Sequence, residues 1–249
     1  MKKICFLVFL FTSLATYAQT GDYDAFLARQ FVQNGEYAKA AEYYEGLFAH
    51  NPEEYYTEYI NVLIQLKDFA KAEKTIKTIY KQSDNNSLYL IDLGDLFLKQ
   101  NKEEEASKQF NKTIKELKSN QYEIQQIANK FILLQQLEYA QKTYERGREI
   151  LKNKNAFNLE LAHLLYLKKD IEGMITAYLN EAPQQSNNLT LIENGLQSVL
   201  TEEKTKDALE KELLKRVQAN KRAYAYQDLL IWLYMQRNAF EDAILQAKS

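Results

Sequence analysis

A small residue followed four positions later by a bulky one recurs along this chain at a nearly fixed step, and this period limits what the chain can fold into. It begins in the stretch Tyr37-Ala38-Lys39-Ala40-Ala41-Glu42-Tyr43-Tyr44 with Ala40/Tyr44. It continues as Ala72/Ile76, Ala106/Phe110, Ala140/Tyr144, Met174/Tyr178, Ala208/Glu212 and Ala243, with steps of 32, 34, 34, 34, 34 and 35 residues between the first members. A repeat of that length is one supersecondary unit that buries its apolar face only against its neighbours, which predicts a solenoid. Seven Gly and two Pro in 249 residues fit a chain that is helical almost throughout.

The N-terminus reads as an export signal. Met1-Lys2-Lys3 is basic, Ile4 to Leu14 is apolar, and Thr16-Tyr17-Ala18 offers a small-x-small cleavage site, so residues 1–18 are expected to be a signal peptide. A membrane anchor needs about 20 apolar residues, and this run is broken by Thr12 and Ser13. The single cysteine, Cys5, leaves with the signal and lies too early for a lipoprotein cleavage site. The mature chain is therefore expected in the periplasm, free of disulfides and held by packing alone, with outer-membrane association left open. Without Lys2 and Lys3 the 32 basic residues become 30 against 34 acidic ones, a net charge of −4. That balance argues against a nucleic-acid partner, which calls for a basic face.

From Tyr23 onward, amphipathic helices of 3.6-residue period alternate with polar turns. The pattern predicts helices over Tyr23–Gln33, Tyr37–His50, Glu53–Leu66, Phe69–Gln82, Ser87–Leu98, Glu103–Leu117, Gln121–Leu134 and Glu138–Leu151. Gly35 suits the left-handed residue after a helix end, and Pro52 stops a helix interior. The expected units are about 21–52, 53–86, 87–120, 121–154, 155–188, 189–223 and an incomplete 224–249.

These residues resemble the tetratricopeptide repeat pattern W-x2-L-G-x2-Y, A-x3-F, P. Leu27-Ala28, Phe31, Ala40, Tyr44 and Pro52 carry it in the first unit, Leu93-Gly94, Phe97, Ala106 and Phe110 in the third, and Ile127-Ala128, Phe131, Ala140 and Tyr144 in the fourth. The early tryptophan is absent from every unit, Met174 replaces a small residue, and Glu212 replaces an aromatic. The resemblance covers roughly residues 20 to 249 and implies an all-α, right-handed α-solenoid of about seven antiparallel hairpins. Ala28, Gly94, Ala128 and Ala162 would let the two helices of a hairpin approach. Ala40, Tyr44 and their successors would receive the next hairpin.

No catalytic or cofactor signature is present. His50 and His163 are far apart in sequence, and no His-x3-His, Cys cluster, Gly-rich phosphate loop or G-x-S-x-G occurs. Runs such as Glu103-Glu104-Glu105 read as solvated helix faces. The chain is thus expected to be a non-catalytic scaffold without cofactor or metal, binding a protein or peptide. The resemblance implies a concave groove lined by the first helix of each hairpin, with Arg29, Asn61, Asp95, Asn129, His163, Gln197 and Trp232 in one row. The flanking rows hold Ala25, Thr57, Ile91, Gln125, Leu159, Glu193 and Asp228, then Val32, Ile64, Leu98, Ile132, Tyr166, Leu200 and Met235. Ile91, Leu98, Leu159 and Tyr166 are the expected apolar contacts, and the amides of Asn61 and Asn129 suit a peptide backbone. The last helix carries an apolar stripe, Phe240, Ala243, Ile244 and Ala247, without a cap. It is expected either to continue beyond Ser249 or to dock on a partner or a second copy. The alternative function is the helical arm of a longer envelope enzyme or signalling protein.

Overall fold

The computed structural model describes residues 22–184, 189–220 and 222–248. The expected signal peptide and the close of the fifth unit at residues 185–188 lie outside them. Among the described residues the chain is all-α and TPR-like, a succession of antiparallel hairpins forming two compact units, up to Lys115 and from Glu116.

The first unit contains α1 (22–33), α2 (Tyr37–His50), α3 (Pro52–Gln65), α4 (Phe69–Gln82), α5 (Leu88–Leu98) and α6 (Glu103–Lys115). From α2 on, each helix packs on the next. Pro52 begins α3, where its missing N–H costs nothing. The Asp68 carboxylate caps α4 by accepting the Lys71 N–H at 3.1 Å. Ala40, Tyr44, Ala72, Ile76, Ala106 and Phe110 are all buried. A Cβ on Gly94 would fall 2.2 Å from the Phe110 ring, so α5 and α6 approach as closely as they do because position 94 has no side chain.

The second unit contains α7 (Gln121–Leu133), α8 (Leu137–Ile150), α9 (Asn158–Leu167), α10 (Ile171–Glu181), a 3-10 turn at Ala182–Gln184, α11 (Thr190–Gln197), α12 (Glu203–Ala219), α13 (Tyr224–Gln236) and α14 (Phe240–Ala247). Asn120 and Asp170 cap α7 and α10 through the N–H groups of Glu123 and Gly173. Ala128, Ala140, Tyr144 and Ala162 are fully buried. Arg148 near the end of α8 donates to the Ala156 carbonyl at 2.7 Å and to Asn158 Oδ1 at 2.6 Å, and buried Asn158 passes the bond on to Glu181 at 3.1 Å.

One turn recurs between the helices of the hairpins. Gly35, Lys67, Asn101, Gln135, Lys169 and Asn238 stand at one register position and all have positive φ. The next N–H in each case returns to a carbonyl five residues back, as from Glu36 to Phe31 at 2.8 Å and from Asp170 to Leu165 at 2.9 Å. This Schellman closure satisfies the last carbonyls of the first helix and fixes the phase of the second.

The sixth hairpin lacks that turn, and its register is corrected here. Residues 198–202 link α11 and α12 without a left-handed residue, and α12 enters one position later than the period predicts. Leu209 and Leu213 are fully buried, whereas Ala208 and Glu212 are only half-buried, with Glu212 accepting from Arg216 at 2.9 Å. The short α11 packs on α10, and α12 packs on α10 and α13. On α14, Ala243 is buried while Phe240, Ile244 and Leu245 are exposed.

Candidate partner-binding faces

The hairpin geometry separates two roles. Both helices of each hairpin bury apolar residues, and the first helices keep several polar residues of one register at the surface. In the first unit Arg29 on α1 and Asn61 on α3 are exposed, whereas Asp95 on α5 is half-buried and accepts from Lys99 Nζ at 2.6 Å. In the second unit Asn129 on α7, His163 on α9 and Gln197 on α11 are exposed, and Trp232 on α13 is half-buried.

The wedge tyrosines reach this row from below. Tyr144 on α8 is fully buried, and its hydroxyl donates to Asn129 Oδ1 at 3.4 Å. Tyr44 on α2 stands at the same register and is likewise buried. Burial raises the pKa of both tyrosines, helped by the negative charge of Glu58 for Tyr44 and of Glu160 for Tyr144. Both therefore stay neutral at ordinary pH, and the Tyr144 hydroxyl orients the surface side chain of Asn129. Tyr178, at the next equivalent position, lies against Gly195, where a Cβ would fall 2.3 Å from its hydroxyl oxygen.

The flanking rows behave less uniformly. Ile91 is 0% exposed and cannot touch a partner, which corrects its expected place in the groove. Ala25 and Leu200 are likewise buried. Thr57, at the same register as Ile91, is exposed, so burial there depends on what the adjoining helix presents rather than on register alone. Leu98 and Leu159 are half-buried, and Tyr166 is 46% exposed.

The first helices carry a further stripe. Glu54, Glu58 and Asn61 stand at i, i+4 and i+7 on α3, which places them on one helix face, and all three are exposed. The corresponding residues are Asp22, Phe26 and Arg29 on α1 and Leu88, Asp92 and Asp95 on α5. In the second unit they are Tyr122, Gln126 and Asn129 on α7 and Thr190, Asn194 and Gln197 on α11, all exposed. The i, i+4, i+7 spacing was readable in the sequence. Neighbouring first helices are also tied to each other: the Tyr56 hydroxyl donates to Asp92 at 2.9 Å, and the Gln125 amide donates to Glu160. No group of His, Cys, Asp or Glu among the described residues is arranged to hold a metal ion, and none of the described helices is long and apolar enough to cross a membrane.

No protein-family model matches the chain, and no curated protein matches it. Solved structures similar to it include a tetratricopeptide repeat protein from Parabacteroides merdae, at 14% identity and TM-score 0.36, covering 92% of this chain and 91% of that one. PilF of Pseudomonas aeruginosa is similar at 15% identity and TM-score 0.36, over 85% of this chain and 96% of its own. The C-terminal part of a TPR repeat-containing protein from Cytophaga hutchinsonii is similar at 17% identity and TM-score 0.38, over 89% and 83%.

Proposed function

We propose that this chain is a non-catalytic scaffold of the bacterial cell envelope that holds a partner protein or peptide on the exposed faces of its first helices. The observation that carries the reading is the row of polar residues that one register of the first helices keeps exposed. Ala40, Tyr44, Ala106, Phe110, Ala140 and Tyr144 on the second helices are buried, while Arg29, Asn61, Asn129, His163 and Gln197 on the first helices stay at the surface. The hydroxyl of buried Tyr144 bonds Asn129 and pre-orients that side chain, which lowers the ordering cost of binding. Asn and Gln amides both donate and accept, as an extended backbone requires. The envelope location rests on the basic start, apolar run and small-x-small site of residues 1–18.

Photo-crosslinking residues placed singly at Asn61, Asn129 and His163 in the native envelope test this. Control positions on the second helices are Lys74 and Lys142, both exposed. Discrete protein adducts are expected from the first-helix positions and not from the controls. Adducts from the controls alone, or from none of the positions, overturn the reading.

A further inference from the structure

The two units differ in the charge of the stripe that runs through Asn61 and Asn129. In the first unit it carries Asp22, Glu54, Glu58, Asp92 and Asp95, against Arg29 alone. Lys99, the cation just after α5, is held by Asp95. Asp22, Glu54 and Glu58 are exposed. Aromatic surface lies on the same helix as Asp22, with Phe26 52% exposed and Tyr23 61% exposed on α1, whereas the Tyr56 ring beside Asp92 is buried. In the second unit the same stripe on α7 and α11 is uncharged, and Glu160 on α9 is engaged by Gln125.

The sign also changes between helices inside the first unit. On α4 the charges are Lys71, Lys74, Lys77 and Lys81 against Glu73. The first helices α1, α3 and α5 are predominantly acidic and α4 basic, while α2 and α6 carry charges of both signs. Carboxylates beside aromatic rings are the chemistry that recognises ammonium and guanidinium groups, by ion pairing and by attraction to the ring face.

We propose that the first-helix face of the first unit takes a lysine- and arginine-rich segment of the partner protein. The inference rests on the scaffold reading above and adds the partner's chemistry and the unit that reads it. Charge complementarity of this kind sets partner choice and association rate, and salt weakens it.

The probe is a fluorescent arginine- and lysine-rich peptide, titrated by anisotropy into the chain without its signal segment. A glutamate-rich peptide of the same length is the counter-probe. The cationic peptide is expected to bind, more weakly as salt rises, and Glu54→Gln with Glu58→Gln is expected to weaken it about tenfold. Glu42→Gln with Glu105→Gln removes the same charge from exposed second-helix positions and is expected to change it less than about twofold. Equal binding of the anionic peptide, equal weakening by the two double variants, or no binding of the cationic peptide overturns the proposal. If crosslinks still form at Asn61 and Asn129 in that case, the scaffold reading stands and only the partner's charge was misjudged. Loss of those crosslinks removes both.

Discussion

Tyr56 shows how much one residue can hold. Its ring is buried at the seam between α3 and α5, stacked edge-on against Tyr89, and its hydroxyl donates to Asp92 across that seam. Burial first and then the Asp92 carboxylate drive its pKa far above the ordinary tyrosine value, and burial with Glu210 pushes Tyr234 up to about 12. Unfolded tyrosine titrates near pH 10. A hydroxyl raised in the folded state therefore contributes stability that is fully present below about pH 10 and lost as pH rises through the folded values. Stability measured by denaturant is expected to fall from about pH 10 upward, with part of the tyrosinate absorbance appearing only together with loss of helical ellipticity. Tyr56→Phe is expected to cost about 1 kcal/mol at neutral pH, through the lost hydrogen bond, and to flatten the alkaline decline. A full tyrosinate signal while the helices remain intact would refute this account of Tyr56 and Tyr234.

At the scale of helices, glycine position separates packing from propensity. Gly94 sits on α5 where a methyl group would strike the buried Phe110 ring of α6, whereas Gly46 on α2 is exposed with no atom near its missing Cβ. Gly94→Ala is expected to destabilise by about 1–3 kcal/mol through overpacking, and Gly46→Ala to stabilise by about 0.5–1 kcal/mol through helix propensity. Urea unfolding of the two variants checks both signs, and a gain from Gly94→Ala would show that α5 and α6 do not need the close approach. Much of this was legible beforehand. The expected helices Tyr37–His50, Phe69–Gln82 and Glu103–Leu117 meet the observed ones to within two residues, because apolar period and turn residues agree there. The phase of α12 was not legible, since both Ala208 and Leu209 satisfy a 3.6-residue pattern and only the missing left-handed turn decides between them. The burial of Ile91 was hidden for a related reason: period reports which face a residue is on, not how far the neighbouring helix covers it. Nor does any period reveal the Tyr144 to Asn129 bond, or the relay in which Arg148 donates to Asn158 and Asn158 donates to Glu181 across three helices.

Across the whole molecule, most helix contacts join consecutive elements, as from α2 to α3 and from α4 to α5. Stability in such an array is close to a sum of hairpin terms and nearest-neighbour terms. It also divides into two compact units, so a defect is expected to stay where it is made. Gly94→Ala places its strain on Phe110, inside the first unit. Amide hydrogen exchange of this variant is expected to accelerate along α3 to α6, roughly 5- to 150-fold for a loss of 1–3 kcal/mol. Protection along α9, α10 and α13 is expected to match the unsubstituted chain, because those helices draw their packing from Leu161, Leu179 and Leu229 and their neighbours in the second unit. A uniform acceleration over all the helices would mean that the chain opens as one cooperative block. The two acidities of its surface would then share one folding equilibrium, and loss of partner binding in any first-unit variant would have to be separated from global unfolding before it could be assigned to Glu54 or Glu58.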